Sequence, residues 1–323
     1  MIVVTGACGF IGTHLVEALR RRSTEPIRMF DAQAPSAVPA GVEIVRGRVE
    51  DPESVSAAMR GVRAVIHLAA KVQPDSRDLS AMSRINVEGT RVVYSSAVAA
   101  NCEVFLQMSS AGVYGAPRAT RPFSEDDVVK PITPYQRTKW EAEEVLRSSP
   151  AGRTTMNIVR PAGIYGPGSH LELPRYKRLL RQRWSVELAG GVVTHPTYVS
   201  DVVEALVAML DRPAPHGTVL NVGGEKPLLV QELDALISAA LDVPRRRITL
   251  PSAVMKPLSK AATPVLARLG RERPLLAGIA AGERFTSAVD DSRFRAMYPG
   301  VRVVPLRDGI GNHIAWARAH DLL

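Results

Sequence analysis

The first half of the chain alternates short apolar runs with stretches of helical periodicity. The apolar runs occupy residues 2–5, 27–31, 42–47, 64–70, 104–110 and 156–161. Between them, as in 11–22, apolar residues recur every three or four positions, and Asp51 followed by Pro52 predicts the start of a helix. Nearly continuous apolar strands separated by helices indicate a parallel sheet that is buried on both faces. The pattern therefore predicts an α/β fold with a doubly wound parallel sheet over residues 1–165.

Beyond residue 165 the alternation becomes irregular. A loop rich in Gly and Pro leads to a basic helical stretch near 174–183, a short pair of strands, a helix over 199–210, a strand within 219–224 and a helix over 230–241. We interpret residues 166–323 as a smaller, mixed α/β substrate-binding lobe on the carboxyl edge of the sheet, with some later segments returning to the first domain. Residues 252–284 carry scattered Pro and Arg and give no predictable order.

Composition argues against several classes of function. Of the 323 residues 46% are hydrophobic, which is enough for a sizeable core. The net charge is 41 − 32 = +9, but the arginines form short, scattered clusters and aromatic residues are only 5%, which argues against a nucleic-acid partner. Two cysteines, Cys8 and Cys102, are too few for a disulfide framework and do not resemble a metal site. No apolar run approaches about 20 residues and the chain opens on a strand, so we expect a cytoplasmic protein without a membrane partner.

A glycine-rich turn follows the first apolar run. The sequence TGACGFIG places Gly6, Gly9 and Gly12 between that strand and an apolar helix. In a βαβ unit such glycines allow a tight turn, a close approach of the backbone to a pyrophosphate, and close packing of helix on strand. The N-terminus of the helix then favours the anion. Asp31 ends the second run, where it is expected to bind the adenosine ribose and to repel the 2′-phosphate of NADP, so we predict a Rossmann domain that binds NAD.

Four further residues lie near this predicted site. Ala69 and Ala70, in the motif HLAA, are small enough for a cofactor to pass over the carboxyl end of the fourth strand. We interpret His67 as a packed, hydrogen-bonded residue rather than a catalyst. Asn86 lies early in a long helical pattern that ends near Asn101, where its side chain could fix the backbone near the cofactor or cap locally.

A second group of polar residues lies at the end of the fifth run and in the helix that follows. The sequence SSAGVYG places Ser109 and Ser110 at the carboxyl edge of the sheet, and TPYQRTKWEAEE places Tyr135 and Lys139 on one helical face. Tyr135 would exchange the proton of an alcohol while a hydride passes to or from the nicotinamide. Ser110 would hydrogen-bond the same oxygen, and Lys139 would also hold the nicotinamide ribose.

This role predicts a lowered pKa for Tyr135. A fall from about 10 to about 7 requires about 4 kcal/mol. An ammonium group at about 6 Å supplies about 2.8 kcal/mol of this at an effective dielectric of about 20, and we expect the positive nicotinamide to supply the rest. The alternative interpretation is a half-buried Tyr135 beside a Lys139 whose stem packs on apolar surface.

These motifs together resemble the extended short-chain dehydrogenase/reductase family, the NAD-dependent epimerase/dehydratase group. The resemblance covers nearly the whole chain and rests on TGACGFIG, HLAA, INVEGT, SSAGVYG, YQRTK, RPAGIYGPG and VLNVGG. It implies that Ser110, Tyr135 and Lys139 form the catalytic triad, and that helices near 79–100 and 135–147 pair across a homodimer. The residues expected to bind NAD are Gly6, Gly9, Phe10, Ile11, Gly12, Asp31, Val49, Leu68, Ala69, Ala70, Asn86, Tyr135 and Lys139.

Several positions depart from the pattern of that family. Ala111 and Gly112 stand where 4,6-dehydratases carry an Asp-Glu pair, which argues against dehydration. Gly163 and Thr194 stand where many nucleotide-sugar epimerases place an Asn and an Arg that hold the substrate. Arg48 replaces an Asp that often contacts the adenine, although Val49 could serve through its backbone.

The sequence leaves three functions open. The first is hydride transfer at a secondary alcohol or ketone carbon, as in a nucleotide-sugar 4-epimerase or a sugar or alcohol dehydrogenase. The second is a dehydrogenase or ketone reductase that acts on steroid-like or flavonoid-like alcohols. The third is a non-catalytic, NAD-sensing scaffold. Five basic residues could grip a diphosphate or could simply be solvated: Arg175, Lys177, Arg178, Arg181 and Arg284.

Overall fold

The centre of the molecule is a seven-stranded sheet in which every pair of neighbours is parallel. The computed structural model describes residues 1–34, 38–72, 79–118, 121–182, 184–188, 190–243, 246–250 and 283–323. The strands are β1 (Ile2–Thr5), β2 (Ile27–Asp31), β3 (Val42–Arg46), β4 (Ala64–His67), β5 (Val104–Met108), β6 (Thr155–Pro161) and β11 (Val219–Val222). Their order is β11-β6-β5-β4-β1-β2-β3. The predicted doubly wound sheet is confirmed.

Helices cover both faces of this sheet. They are α1 (Phe10–Arg22), α2 (Pro52–Ala58), α3 (Leu79–Ser83), α4 (Gly89–Ala99), α5 (Pro134–Ser148) and α7 (Val199–Asp211). Apolar residues of α1 and α7 pack in one core with Val4, while those of α2, α4 and α5 pack in another with Val3. Successive residues of a strand point to opposite faces, so the continuous apolar runs are explained by burial on both sides.

The helix that follows β4 is not continuous. A π-helical turn at Arg84–Glu88 separates α3 from α4, and α4 ends at Ala99, shortly before the predicted end. The start of α2 agrees with its sequence signal, since the Asp51 side chain accepts a hydrogen bond from the Glu53 amide and Pro52 occupies the first turn. The π-turn carries Asn86 into the interior beside the carboxyl end of β4.

The remaining elements form a mixed α/β region at the carboxyl edge of the central sheet. They are β7 (Ile164–Tyr165), α6 (Leu173–Arg181), β8 (Trp184–Leu188), β9 (Gly191–Thr194), β10 (Thr197–Tyr198), β12 (Leu228–Leu229), α8 (Val230–Ala240), β13 (Arg246–Leu250), β14 (Arg284–Thr286), α9 (Ser292–Met297) and α10 (Leu306–Ala319). They build three small sheets, of which β12-β9-β14 is the largest. By contrast, α7 and β11 belong to the central sheet and its core. Most of the stretch 252–284 lies outside the described residues.

The strand order reverses between β1 and β4, which are neighbours although β2 and β3 separate them along the chain. Diverging connections on either side of such a pair leave a crevice at the carboxyl ends of the strands, which is where open α/β sheets bind ligands. Within the described residues no helix is both long and apolar enough to cross a bilayer.

Candidate functional site

A cavity of about 1360 Å³ opens at the carboxyl end of the sheet, in this crevice. Its wall includes the glycine-rich turn, the ends of β2, β4 and β5, one face of α5, and the loop after β6. Most residues predicted from the sequence line it: Gly6, Gly9, Phe10, Ile11, Gly12, Asp31, Val49, Leu68, Ala69, Ala70, Ser110, Tyr135 and Lys139. Asn86 is not among the lining residues. The fold therefore brings the two predicted groups of residues to one cavity.

The glycine-rich turn packs too closely for side chains. Gly6 has φ of +66°, and a Cβ there would lie 2.7 Å from the backbone nitrogen of Ala69. A Cβ on Gly12 would collide with the carbonyl oxygen of Gly6 and the backbone of Ala7. Gly9 precedes α1 without any side chain capping the helix, so its first amides are left for another acceptor. This turn fits the pyrophosphate of a dinucleotide.

Asp31 lies at the end of β2 and is tied to the glycine-rich turn. Its carboxylate accepts hydrogen bonds from the amides of Cys8 at 2.9 Å and Gln33 at 3.0 Å. Burial and the neighbouring Asp31 raise the pKa of the Cys8 thiol to about 11, so this thiol stays protonated. Each carboxylate oxygen has a second lone pair, so Asp31 can also accept from the hydroxyls of a ribose. The carboxylate fits NAD better than NADP, whose 2′-phosphate it would repel.

Beyond Asp31 the cavity is bounded by Arg48 and Val49. Arg48 pairs with Glu50 at 3.0 Å, and Glu50 is also 3.7 Å from Arg84. Val49 is buried and packs so tightly against Gly89 that a Cβ on that glycine would lie 2.6 Å from the valine methyl. The position expected to bind adenine is therefore a rigid apolar residue beside a guanidinium that already has a carboxylate partner.

His67 is held inside the protein by two hydroxyl groups. Its Nδ1 is 2.6 Å from Thr5 Oγ1, and its Nε2 is 3.2 Å from Thr90 Oγ1. The Thr90 hydroxyl donates its proton to the carbonyl of Asn86, so toward His67 it can only accept a hydrogen bond. Nε2 of His67 is therefore the nitrogen that carries the proton. Burial and the charge of Lys139 lower the pKa of His67 to about 3. His67 is thus a neutral, packed residue, as its sequence context predicts.

Asn86 joins the backbone beyond β4 to α5. Its Oδ1 accepts from the Lys71 amide at 2.7 Å, and its Nδ2 donates to the Lys71 carbonyl at 3.2 Å and to Thr138 Oγ1 at 2.9 Å. Of the two roles that the sequence left open, the structure supports fixing the backbone beside the cavity. Asn86 acts on the cavity wall through Lys71, which lines it, rather than by lining it itself.

Ser110 and Tyr135 meet across the cavity from two different elements. Ser110 follows β5 and accepts from the Gly112 amide at 3.0 Å, which caps a 3₁₀ turn over Ala111–Tyr114. The helix α5 starts with a capping box formed by Thr133 and Gln136, which places Tyr135 in its first turn. The Ser110 side chain lies close enough to the Tyr135 hydroxyl to lower its pKa, against the effect of burial.

The pKa values of the predicted catalytic pair correct one expectation. Burial raises the pKa of Tyr135 to about 12, although the nearby Ser110 side chain opposes this. Burial also lowers the pKa of Lys139 to about 8, which the charge of Glu143 opposes. The predicted fall in the pKa of Tyr135 is therefore wrong for the chain by itself, because the loss of hydration that burial imposes on the phenolate dominates.

A buried polar network beside this site was not predicted. The Glu143 carboxylate accepts from Ser109 Oγ at 2.5 Å and forms a bidentate pair with Arg160, at 2.9 and 2.6 Å. Arg160 also donates to the Tyr114 hydroxyl, which in turn donates to Asn221 on β11. Arg160 is 2% exposed and Glu143 is 0% exposed. The one available signal was an arginine within the apolar run MNIVRP, since a buried guanidinium needs a partner.

The wall of the cavity includes positions where the sequence departs from the family pattern. Ala111, Gly112, Gly163 and Thr194 all line it. Among the described residues, Arg48 is the arginine that lines the cavity; the basic residues of α6 lie outside its lining, as does Arg284. Arg175 and Arg178 instead pair with Asp234, at 2.7 and 3.1 Å. The described residues contain no cluster of three metal-ligating side chains.

The fold and the cavity define a Rossmann-type dinucleotide-binding protein. The chain belongs to the NAD dependent epimerase/dehydratase family, whose model matches residues 2–223. It is 28% identical over 337 residues to dTDP-glucose 4,6-dehydratase of Streptomyces griseus, covering 99% of this chain and 94% of that protein. It is 30% identical over 256 residues to 2-alkyl-3-oxoalkanoate reductase of Stenotrophomonas maltophilia strain K279a, covering 76% of each.

A solved structure extends this comparison to three dimensions. MoeE5 in complex with UDP-glucuronic acid and NAD superimposes with a TM-score of 0.75 at 25% identity, covering 99% of both chains. Family membership confirms the predicted resemblance and assigns NAD as the cofactor. The residues that would hold it are the glycine-rich turn and Asp31.

Proposed function

We propose that this protein is an NAD-dependent oxidoreductase that transfers a hydride at a secondary alcohol or ketone carbon, with Ser110, Tyr135 and Lys139 at the reacting centre. One observation carries the proposal: these three side chains line the same cavity as the glycine-rich turn and Asp31. A scaffold that merely sensed NAD would have no need for a half-buried phenol beside a serine and an ammonium group in one cavity. When bound, NAD accepts the hydride and NADH donates it.

In the reductive direction, Tyr135 is the proton donor. Its raised pKa keeps the phenol protonated at neutral pH, so it can donate to the carbonyl oxygen as the carbon receives the hydride. The carbonyl then becomes an alcohol, and Tyr135 becomes a phenolate that takes up a proton from solvent. Ser110 donates a hydrogen bond to the same oxygen, where negative charge develops. Lys139, in its ammonium form, stabilises the phenolate and holds the ribose next to the nicotinamide.

The first substrate class is a nucleotide sugar, acted on by a 4-epimerase or a dehydrogenase. It is supported by family membership and by relatives named for such substrates. Loss of water is disfavoured, because Ala111 and Gly112 supply no acid or base beside Ser110. An epimerase must retain its cofactor, whereas a dehydrogenase must release it. Absorbance of the purified protein at the NADH band, and the stoichiometry of NAD consumption, distinguish the two.

A second substrate class is favoured by the lining of the cavity. Five apolar side chains from the loops and elements around the cavity line its wall, namely Pro117, Phe123, Ile132, Ile164 and Leu171. Gly163 and Thr194 supply no charge there, and of the described lining residues Arg48 is the only arginine. A substrate with an apolar body, such as a steroid-like alcohol or an oxo-alkanoate, would bury its surface on this wall.

Two experiments test the proposal. Thermal unfolding of the NAD-loaded protein with UDP and with a 3β-hydroxysteroid assigns the substrate class, because the correct probe should raise the melting temperature. Turnover of a substrate of the class so assigned, a UDP-sugar or a 3β-hydroxysteroid, is then compared between the wild type and Tyr135→Phe. Loss of hydride transfer in the variant supports the proposal, and unchanged turnover contradicts it.

We also propose that the chain forms a homodimer through residues 79–99 and α5. The resemblance to the family motivates this arrangement, and the start of α3 exposes an apolar side chain, since Leu79 is 53% exposed. Light scattering coupled to size exclusion should give twice the chain mass of 34.9 kDa. Leu79→Asp should shift the protein to the monomer, and a wild type of single-chain mass would contradict the proposal.

A further inference from the structure

The buried carboxylate of Glu143 lies one helical turn beyond Lys139 on α5. Four donors reach its two oxygens. Oε1 accepts from Ser109 Oγ at 2.5 Å and from Arg160 Nε at 2.9 Å. Oε2 accepts from Arg160 Nη2 at 2.6 Å and from Arg147 Nη2 at 2.7 Å. Each oxygen therefore has two partners, which fixes the carboxylate in one orientation.

Two consecutive residues at the end of β5 are hydrogen-bonded to side chains of α5. Lys139 Nζ donates to the carbonyl of Met108 at 2.5 Å, and Ser109 donates to Glu143 at the same distance. Ser110 comes next along the chain, and it lines the same cavity as Tyr135. The two bonds therefore hold the strand end that carries Ser110 against the helix that carries the other two residues of the site.

We propose that Glu143 is a positioning residue for the Ser110–Tyr135–Lys139 site, an inference that rests on the proposed function. Through Ser109 it holds the end of β5 against α5, so that Ser110 stays within reach of Tyr135. Through its charge it favours the ammonium form of Lys139, which the low polarity of the interior disfavours. It contacts neither the cavity nor a reacting atom, since Glu143 is absent from the cavity wall.

Glu143 is the anionic side chain that favours the protonated form of Lys139. Burial lowers the pKa of Lys139 to about 8, and Glu143 opposes this. Burial would raise the pKa of Glu143, but hydrogen bonds and charge from Arg160 keep it below its usual range, so Glu143 stays ionised. His67, at the end of β4, is neutral because its pKa is about 3. Tyr135 is also uncharged, because its pKa is about 12. Between pH 6 and pH 9, Lys139 is therefore the member of this group that titrates.

The test compares two probes, NAD and ADP, in calorimetric titrations of the full chain between pH 6 and pH 9. Lys139 is expected to hold the ribose next to the nicotinamide, which ADP lacks. Affinity for NAD should therefore fall above a midpoint near pH 8, while affinity for ADP should not. Glu143→Gln should move this midpoint down by about 1 pH unit or more. The matched control Glu144→Gln removes a carboxylate that is 57% exposed on the same helix, and it should leave the midpoint unchanged.

A second variant tests the bond to β5 without changing any charge. Ser109→Ala should weaken NAD binding by about threefold to tenfold at every pH and leave ADP binding as it was. If Glu143→Gln does not fold, Ser109→Ala alone tests the inference. The inference is then overturned if Ser109→Ala loses affinity for NAD and ADP equally, or loses affinity for neither. The inference is also overturned if Glu143→Gln folds and the pH midpoint of its NAD affinity is unchanged. The same holds if the affinities of the wild type for NAD and for ADP depend on pH in the same way. These titrations report binding only. The proposed function is tested separately, and unchanged turnover in Tyr135→Phe would overturn it.

Discussion

The Asp31 carboxylate accepts a hydrogen bond from the Cys8 amide at 2.9 Å, which ties the end of β2 to the glycine-rich turn. The charge that would select the cofactor is thus held in place by the loop that would bind the pyrophosphate. Asp31→Asn keeps an oxygen for that bond and removes the repulsion toward a 2′-phosphate. We expect the ratio of NADP to NAD affinity to rise by about tenfold or more, measured by fluorescence titration. Asp31→Ala should relax the preference further, and a wild type that binds both dinucleotides equally would contradict the assignment.

The second prediction concerns the glycine-rich turn. Gly12→Ala should abolish measurable NAD binding or unfold the turn, because its Cβ would overlap the Gly6 carbonyl and the backbone of Ala7. Gly311→Ala is the matched control, since that helical glycine has open space around it and the change should slightly raise stability. Calorimetric NAD titration and thermal unfolding of both variants check the prediction. Gly12→Ala with wild-type affinity would show that the turn does not approach the cofactor.

The third prediction follows from the pKa of Lys139. In the folded chain this pKa is lowered to about 8 by burial, whereas the unfolded chain keeps the ordinary value of 10.5. Between these values the unfolded state binds more protons, so this group makes the free energy of unfolding rise as pH increases from about 8 to 10.5. Urea unfolding of the wild type and of Lys139→Met across this range isolates the contribution. The rise should be smaller in Lys139→Met, and parallel curves would place Lys139 in a solvated environment.

The fourth prediction concerns the buried pair of Glu143 and Arg160. Arg160→Met should lower the free energy of unfolding by about 3–5 kcal/mol, because it leaves a buried carboxylate without its bidentate partner. Arg147→Met removes a second arginine from the same carboxylate, but that side chain is 33% exposed, so we expect a loss of about 1 kcal/mol or less. Equal losses in urea unfolding would contradict the unequal roles assigned to the two arginines.

The fold was predictable because its signals are local. Each of the six apolar runs in the first half became a strand, since continuous burial on both faces leaves a continuous apolar sequence. Gly6, Asp31 and Tyr135 line one cavity, and the sequence could predict this because each lies near the end of a strand or the start of a helix. The π-turn around Asn86 was missed, because one extra residue in a helical turn leaves the apolar spacing on either side almost unchanged.

The electrostatics of the site were less predictable. The direction of the Tyr135 shift depends on how completely the hydroxyl is buried, which no spacing of residues reveals. Glu143 lies in the run EAEE, which is typical of a solvated helix face, yet its partners Ser109 and Arg160 come from two strands distant in sequence. Such a network follows from tertiary packing alone.

The most direct test of the account is the rate of hydride transfer in a single turnover of the NAD-loaded Tyr135→Phe variant. The substrate is a UDP-sugar or a 3β-hydroxysteroid, whichever class thermal unfolding assigns. The control is Tyr114→Phe, which alters a buried tyrosine outside the cavity lining. Removing the proton donor should slow the step by about 10² to 10⁴ while NAD affinity stays within about threefold of the wild type. A rate equal to that of the wild type would contradict the assignment of Tyr135 and, with it, the proposed reaction.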